Sequence, residues 1–281
     1  MTEVPLTWVD AFTDQAFGGS PAAVCLLEGP ADPGWMQALA AELGLSETAY
    51  VWPEDDLFSL RWFTPSTEVD LCGHATLAAA HALGGWGRCA DGALIRFSSR
   101  SGILTARRSG DRVELEFPAD PATATALPVV LEGVLHGPDG ARLRPVAAAR
   151  SGHFLVLELP DAPSVQAAAV DLAAVSSLPD QALILTAPGP GAGSGTGTAA
   201  AADYVLRVFG PRVGIDEDPV TGSAQCTLGP YWAERLGRAS LTAAQVSARA
   251  GRLEVTVAGD RVGIAGRAVT VLRGSVAVGP S

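Results

Sequence analysis

The chain has 281 residues, 48% apolar and 17% charged, with a formal net charge of -11. That balance excludes a disordered chain, and it excludes a nucleic-acid partner, which needs a basic footprint. All 19 basic residues are arginine, so no lysine is available for a pyridoxal Schiff base, a lysine imine or a phosphate-loop contact. The four cysteines, Cys25, Cys72, Cys89 and Cys226, form no CxxC pair. They read as reduced cytoplasmic thiols, not as a disulfide framework or a zinc site. The start lacks a basic region followed by an apolar run, so no signal peptide is expected. The uncharged run 181–202 is interrupted by Gly and Pro and is not expected to span a membrane.

In chain order, strands are expected over 6–12 and 22–27, separated by the turn Phe17-Gly18-Gly19-Ser20-Pro21. Asp32-Pro33 is a good helix start, with Asp as cap and Pro in the first turn. Trp35, Met36, Leu39, Ala40 and Leu43 keep helical spacing up to the stop at Gly44. Strands over 47–52 and 58–63 follow, then a helix of small residues over 73–83, suited to burial inside a curved sheet. Three antiparallel strands are expected over 94–97, 102–107 and 112–117. The Pro/Ala/Thr-rich stretch 120–128 is the best boundary. It divides residues 1–122, joined by a C-terminal strand from about 267–281, from residues 123–266. The second half reads as strands at 144–148 and 153–158, a helix near 164–175, strands at 182–186 and 204–209, then a turn and helix ending at Gly237. Final strands are expected at 243–248, 253–257, 261–265 and 268–278. This order lacks the regular alternation of a doubly wound parallel sheet, and the expected class is α+β, a mixed α/β fold of two similar halves.

The halves carry one motif twice. Leu60 to Pro65 reads LRWFTP and Leu206 to Pro211 reads LRVFGP, and each is followed by an acid and then Gly-x-Ala. In the first copy this is Asp70-Leu71-Cys72-Gly73-His74-Ala75; in the second it is Asp218-Pro219-Val220-Thr221-Gly222-Ser223-Ala224. Exposed N–H groups at two helix starts are what a small-anion site needs. The glycine-rich run 182–197 contains a loose GxGxxA, but it leads into a strand where a dinucleotide site needs a helix, so a flexible loop is expected.

On the residues alone, His74 is either a proton carrier or a hydrogen-bonded turn histidine. No other ligands have the spacing for a metal site with it. His81, His136 and His153 read as structural. Glu47 is either a surface carboxylate or, enclosed by Leu45-Ser46-Glu47-Thr48-Ala49-Tyr50-Val51, a desolvated one. Desolvation is expected to raise its pKa toward that of a useful base. Asp216, Glu217 and Asp218 are either a solvated acidic loop or, at Asp218, part of the site. Ser223 lacks a nucleophile elbow and suits a donor role.

Taken together, VDAFTDQAFGGSPAAVCLLE, AELGLSETAYV, LRWFTPSTEVDLCGHATLAAAHAL, LRVFGP and DEDPVTGSAQCTLGPYWAERLG make the chain resemble the phenazine-biosynthesis isomerase-like (PhzF-like) family over nearly its whole length. The resemblance implies the diaminopimelate-epimerase-like fold: two pseudo-symmetric halves, each a curved sheet around a central helix, with the active site in the cleft between. It also implies a homodimer, a small carboxylate-bearing substrate, and neither cofactor nor metal. Glu47 matches the acid/base residue of SETA and His74 the histidine of GHAT. Asp218 and Ser223 match DPVTGS, and Gly73 and Gly222 match the turn glycines beside the carboxylate site, with Ser46 and Cys72 as further substrate-binding positions. The family chemistry implied is a proton shift along a conjugated system in dihydro-3-hydroxyanthranilate.

Related racemases on this fold place a cysteine in each half. Cys72 fills the first place and Val220 is read at the second, so a two-thiol mechanism ranks lower. Gly44, Ser20 and Gln225 depart from the family's usual Asn, Asn and His, and Gln225 is expected to affect the substrate pocket. The leading expectation is a cofactor-independent isomerase. An amino-acid epimerase or racemase and a non-catalytic binding module remain the alternatives.

Overall fold

The computed structural model describes residues 2–131, 133–137, 139–190 and 197–278. It divides into two compact units, residues 1–116 with 265–281, and residues 117–264.

The first unit runs β1 (Thr2–Ala11), β2 (Ser20–Leu26), α1 (Pro33–Leu43), β3 (Glu47–Glu54), β4 (Leu57–Phe63), β5 (Glu68–Val69), α2 (Gly73–Gly85), β6 (Leu94–Ser99), β7 (Gly102–Ser109) and β8 (Arg112–Pro118), with most of the last strand, β19 (Arg261–Val278). Strand neighbours follow the order β19-β1-β2-β3-β4-β6-β7-β8, and β8 pairs back with β19. The ring of strands therefore closes. Parallel pairs occur at β2–β3 and β4–β6, and β1–β2, β3–β4, β6–β7 and β7–β8 are antiparallel. Inside the ring lies α2, packed on β1, β2, β3 and β7. All its residues from His74 to Ala80 are buried, which accounts for a helix of alanines with no polar face. β3 is buried on both faces from Glu47 to Trp52, because α1 covers the side that α2 does not. There Met36 and Ala40 of α1 pack with Tyr50, Trp52 and Phe63, and the Tyr50 hydroxyl donates to the Met36 carbonyl at 2.6 Å. β8 alternates buried and exposed residues instead, as expected where one face meets solvent.

The second unit runs β9 (Thr123–Ala124), β10 (Leu135–His136), β11 (Ala147–Arg150), β12 (Phe154–Glu158), α3 (Ala162–Ala167), β13 (Ala169–Val170), α4 (Leu172–Ser176), β14 (Ala182–Pro188), β15 (Tyr204–Gly210), β16 (Ile215–Asp218), α5 (Ala224–Leu236), β17 (Ser240–Gln245) and β18 (Gly251–Ala258), with the start of β19. Its pairings repeat those of the first. β11–β12 is antiparallel, β12–β14 parallel, β14–β15 and β15–β16 antiparallel, β15–β17 parallel and β17–β18 antiparallel. The mixed α/β fold expected from the sequence is the fold observed.

The duplicated sequence is a duplicated structure. Arg61 makes two hydrogen bonds to Glu68, both 2.7 Å, and its guanidinium lies over Phe63. Arg207 does the same with Glu217 at 2.7 and 2.8 Å, and lies over Phe209. Each pair ties a long strand to the short strand leading into the motif helix. Arg207 also donates to the carbonyls of Val165, Gln166 and Ala168 at the end of α3. Arg207→Met is expected to cost about 2–4 kcal/mol in urea unfolding, because it strands a half-buried carboxylate and several carbonyls at once. A cost under about 0.5 kcal/mol would show the pair to be a solvated surface contact.

Several elements differ from the sequence expectations. The single helix expected near 164–175 is two short ones, because Asp171 caps a new start by accepting from the N–H groups of Ala173 and Ala174. The acidic run Asp216-Glu217-Asp218 is in strand β16, not in an open loop. The two final strands are one, β19. Of the glycine-rich run, residues 191–196 lie outside the described residues. Gly197–Ala199 is a short 3-10 turn that precedes β15. α5 contains Pro230, which has no N–H to offer the Cys226 carbonyl. The Asp120 N–H takes that carbonyl at 3.0 Å, so the break in the ladder is filled.

Candidate active site

In the first unit the site is assembled by two helix ends. α1 stops at Gly44, whose left-handed backbone (φ 62°) caps the helix. Gly and Asn are the residues that best tolerate this conformation, and Gly44 fits it without strain. Three residues later Glu47 opens β3 beside Ala22 of β2. Cys72 caps α2 in an extended conformation, with no side chain bonded to the first-turn N–H groups, and Gly73 and His74 begin the helix.

Four of the expected residues meet here. Glu47 Oε2 lies 2.9 Å from His74 Nε2, with both side chains more than nine-tenths buried. Ser46 Oγ lies 3.3 Å from the same nitrogen and donates to the Pro21 carbonyl at 3.1 Å. Cys72 Sγ lies 3.6 Å from Nδ1 and 3.8 Å from Nε2 of His74. Glu47 Oε2 nevertheless accepts no aligned hydrogen bond among the described residues. The contact with His74 is thus mainly one of charge. Ser20 Oγ and Thr48 Oγ1 are also buried without a hydrogen-bond partner there.

The electrostatics correct one expectation. Burial pushes the Glu47 carboxyl up, but the His74 charge first, helped by the polar hydrogens of His74, Ser46 and Cys72 nearby, outweighs it and leaves Glu47 below the ordinary carboxylate value. Burial pushes His74 down, and Cys72 and Glu47 together hold it well above 6.5. The Cys72 thiol is itself pushed up to about 11, first by burial and then by the Glu47 charge. It is neutral at pH 7, so Glu47 is the counter-ion that matters. The resting site is a carboxylate–imidazolium pair beside a neutral thiol. Desolvation alone would have raised Glu47; the adjacent cation reverses the sign.

The sign fixes a pH dependence. A histidine whose folded value is raised contributes its full stabilisation below about 6.5 and loses it as pH rises through the folded value. The depressed carboxyl contributes above its ordinary value and loses its share as pH falls through the folded one. His74 is therefore expected to stay protonated well above pH 6.5 in a histidine-resolved NMR titration. In Glu47→Gln it should titrate below the ordinary range, since burial then acts with no carboxylate to oppose it. Ordinary titration of His74 in the wild type would overturn the ion-pair assignment.

In the second unit the expected residues Asp218, Gly222 and Ser223 lie in one turn. Thr221 Oγ1 donates to Asp218 Oδ2 at 2.7 Å. Gln245, fully buried, accepts from the Thr221 N–H at 2.8 Å and donates to the Asp218 carbonyl at 2.6 Å. Gln225 accepts from the Tyr204 hydroxyl at 2.6 Å and donates to the Thr221 carbonyl at 3.2 Å. Ser223 precedes α5 in a helical conformation with no side-chain cap bond. Thr221, Gln245 and Tyr204 were not among the site residues expected from the sequence. The available signal was a glutamine ending the apolar run Leu241 to Gln245, where a buried amide needs partners.

The structure also corrects the register between copies. Counted from the paired glutamates Glu68 and Glu217, Cys72 corresponds to Thr221, not to Val220, and His74 corresponds to Ser223. The second place still holds no thiol. His153 Nδ1 lies 3.0 Å from Asp120 Oδ2, but Ser151 donates to that same carboxylate oxygen, so these three do not form a nucleophilic triad.

Among the described residues no helix is long and apolar enough to cross a membrane. A protein of Halalkalibacterium halodurans described as an isomerase is 41% identical over 274 residues, covering 97% of this chain and 98% of its own. The crystal structure of a phenazine biosynthesis protein of the PhzF family from Enterococcus faecalis superposes with a TM-score of 0.89 at 36% identity, covering 99% of this chain and all of that one. A probable proline racemase from Agrobacterium radiobacter shares the fold, with a TM-score of 0.61 at 14% identity over 99% of this chain and 94% of its own. The family profile described as "Phenazine biosynthesis-like protein" matches residues 9–274, and the chain belongs to that family, as an enzyme of its isomerase class.

Proposed function

We propose that this protein is a cofactor-independent isomerase that moves a proton on a small carboxylic acid. The observation that carries the reading is the buried Glu47–His74 pair at the start of α2. Glu47 is the only carboxylate in that cluster and the group assigned to take the proton. It removes a proton from a C–H bond, the electron pair moves along the conjugated system, and the protonated Glu47 returns the proton at another carbon. His74, as imidazolium, stabilises the charge that develops. A carboxylate held low is a weak base, and each pKa unit costs about 1.4 kcal/mol of driving force. A bound anionic substrate offsets this by competing with Glu47 for the His74 charge, which lets the Glu47 value rise when it is needed.

The remaining roles rest on family resemblance. N–H groups following Gly73 and Gly222 hold the substrate carboxylate, Asp218 and Ser223 position the substrate or relay protons, and Ser46 and Cys72 line its binding site. A homodimer belongs to the same reading, and light scattering would test it.

The test is NMR in heavy water with a panel of small carboxylic acids, including dihydro-3-hydroxyanthranilate and both hands of several amino acids. Deuterium entering one carbon position of one compound, dependent on Glu47, supports the proposal. A panel on which ligands bind without any exchange would favour a binding module instead. The epimerase reading has one specific observation in its favour, the Cys72 sulfur beside the His74 ring. Exchange at an α-carbon that disappears in Cys72→Ala would establish it over the proton-shift reading.

A further inference from the structure

Glu47, Cys72 and His74 have a second chemical identity. Their ligating atoms, a carboxylate oxygen, a thiol sulfur and an imidazole nitrogen, all lie within 4.8 Å of one another and all three residues are buried. Around a tetrahedral zinc ion with bonds of about 2.0–2.3 Å, neighbouring donors sit roughly 3.3–3.7 Å apart. Here the oxygen–nitrogen separation is 2.9 Å and the sulfur–nitrogen separations are 3.6 and 3.8 Å. Shifts of a few tenths of an ångström and a turn of the imidazole would complete the geometry. A second observation points the same way. Glu47 Oε2 is a buried carboxylate oxygen whose 2.9 Å contact with His74 Nε2 is not aligned as a hydrogen bond, and a cation seated between the two atoms would coordinate that oxygen directly.

The geometry points to reversible binding of one borderline-soft divalent cation, Zn2+ or Cd2+, by Glu47, Cys72 and His74, as an inhibitor of the enzyme and not as its cofactor. The donor set selects the metal: thiolate with imidazole favours these ions over Mg2+ or Ca2+, which prefer oxygen alone. Binding is balanced by proton release. Cys72 forms its metal–sulfur bond as the thiolate and His74 coordinates as the neutral ring, so a proton leaves each for solvent. Coordination ties up the carboxylate oxygens through which Glu47 would accept a proton from carbon. It also removes the imidazolium charge, so both parts of the proposed acid/base pair are blocked together. The inhibitory consequence rests on the proposed isomerase reading, whereas the binding itself does not.

The test uses the full chain, stripped of metal with a chelator and titrated with Cd2+. The expected result is a cadmium–thiolate charge-transfer band that saturates at one equivalent and is displaced by Zn2+ but not by Mg2+. Cys72→Ser and Cys72→Ala should abolish the band. Glu47→Gln and His74→Asn should keep it and weaken binding at least about ten-fold. Cys89→Ser, outside the cluster, should change nothing. A band that survives loss of Cys72 in variants folded by circular dichroism would overturn the proposal, as would unchanged affinity in Glu47→Gln. These outcomes separate from the function test. Cadmium binding with no exchange on any substrate removes the isomerase reading alone, and Glu47-dependent exchange without cadmium binding removes the metal site alone.

Discussion

Glu47→Gln is expected to lower proton exchange on the substrate by about 10²–10⁴-fold, the range that a positioned acid/base group supplies. The substitution keeps the shape of the side chain and its place at the start of β3, so the loss reports on chemistry more than on packing. Glutamine can still accept a hydrogen bond from Ser46 or the His74 ring, but it cannot take a proton from carbon. Glu47→Asp keeps the charge and withdraws it by one methylene, and should retain part of the rate. The ordering wild type, then Asp, then Gln is the signature of a base. A Gln variant within ten-fold of wild type would remove Glu47 from the mechanism. The stability effect is smaller and has its own sign. His74 loses its buried counter-ion, so urea unfolding at neutral pH should show a loss of about 1–3 kcal/mol. That loss should shrink at high pH, where His74 is neutral in the wild type as well.

Much of this site was legible in the sequence because it is organised by punctuation. Asp32-Pro33 and Gly44 bound α1, and the position of Gly44 decides where β3 starts and hence where Glu47 falls. The repeated Leu-Arg-x-Phe and the Gly-x-Ala steps marked the strand-to-helix turns in both units. The direction of the Glu47 shift was not legible, because it depends on an imidazole 27 residues away in the chain and 2.9 Å away in space. Burial can be read from local apolar context; the partner that reverses its effect cannot. The register error at Val220 is of another kind, because the Gly-x-Ala steps Gly73-His74-Ala75 and Gly222-Ser223-Ala224 already set Cys72 against Thr221. The ion pairs Arg61–Glu68 and Arg207–Glu217 give the same correspondence independently. Gln245 was missed because its partners, Thr221 and Asp218, come from a different segment. Asp171 is the converse case, a helix start present in the sequence but submerged in an alanine-rich run that reads as continuous.

Leu77→Ala is expected to destabilise the protein by about 3–5 kcal/mol, near the upper end for a single core truncation. Leu77 is fully buried in α2, and its helix neighbours Ala75, Ala78, Ala79, Ala80 and Ala82 are small. Leucines 77 and 83 therefore supply most of the large apolar volume of that helix. The cost of a cavity depends on how far its walls can move in. Here the walls are strands bonded to neighbours on both sides in a ring that closes through β8 and β19, so little collapse is available and most of the cavity persists. The reverse change tests the same geometry. Ala79→Leu adds volume that a closed ring cannot admit without breaking strand pairing, and should cost at least about 1–3 kcal/mol. An exposed helix would tolerate both, with alanine favoured over leucine only by its slight propensity advantage. Leu77 also lies three residues after His74, on the same side of the helix. Losing its packing should loosen the imidazole that Glu47 requires, so Leu77→Ala should lose exchange activity beyond its loss of folded protein. A cost below about 1 kcal/mol, or activity that simply tracks the folded fraction, would show that α2 is held less tightly than a closed strand ring demands.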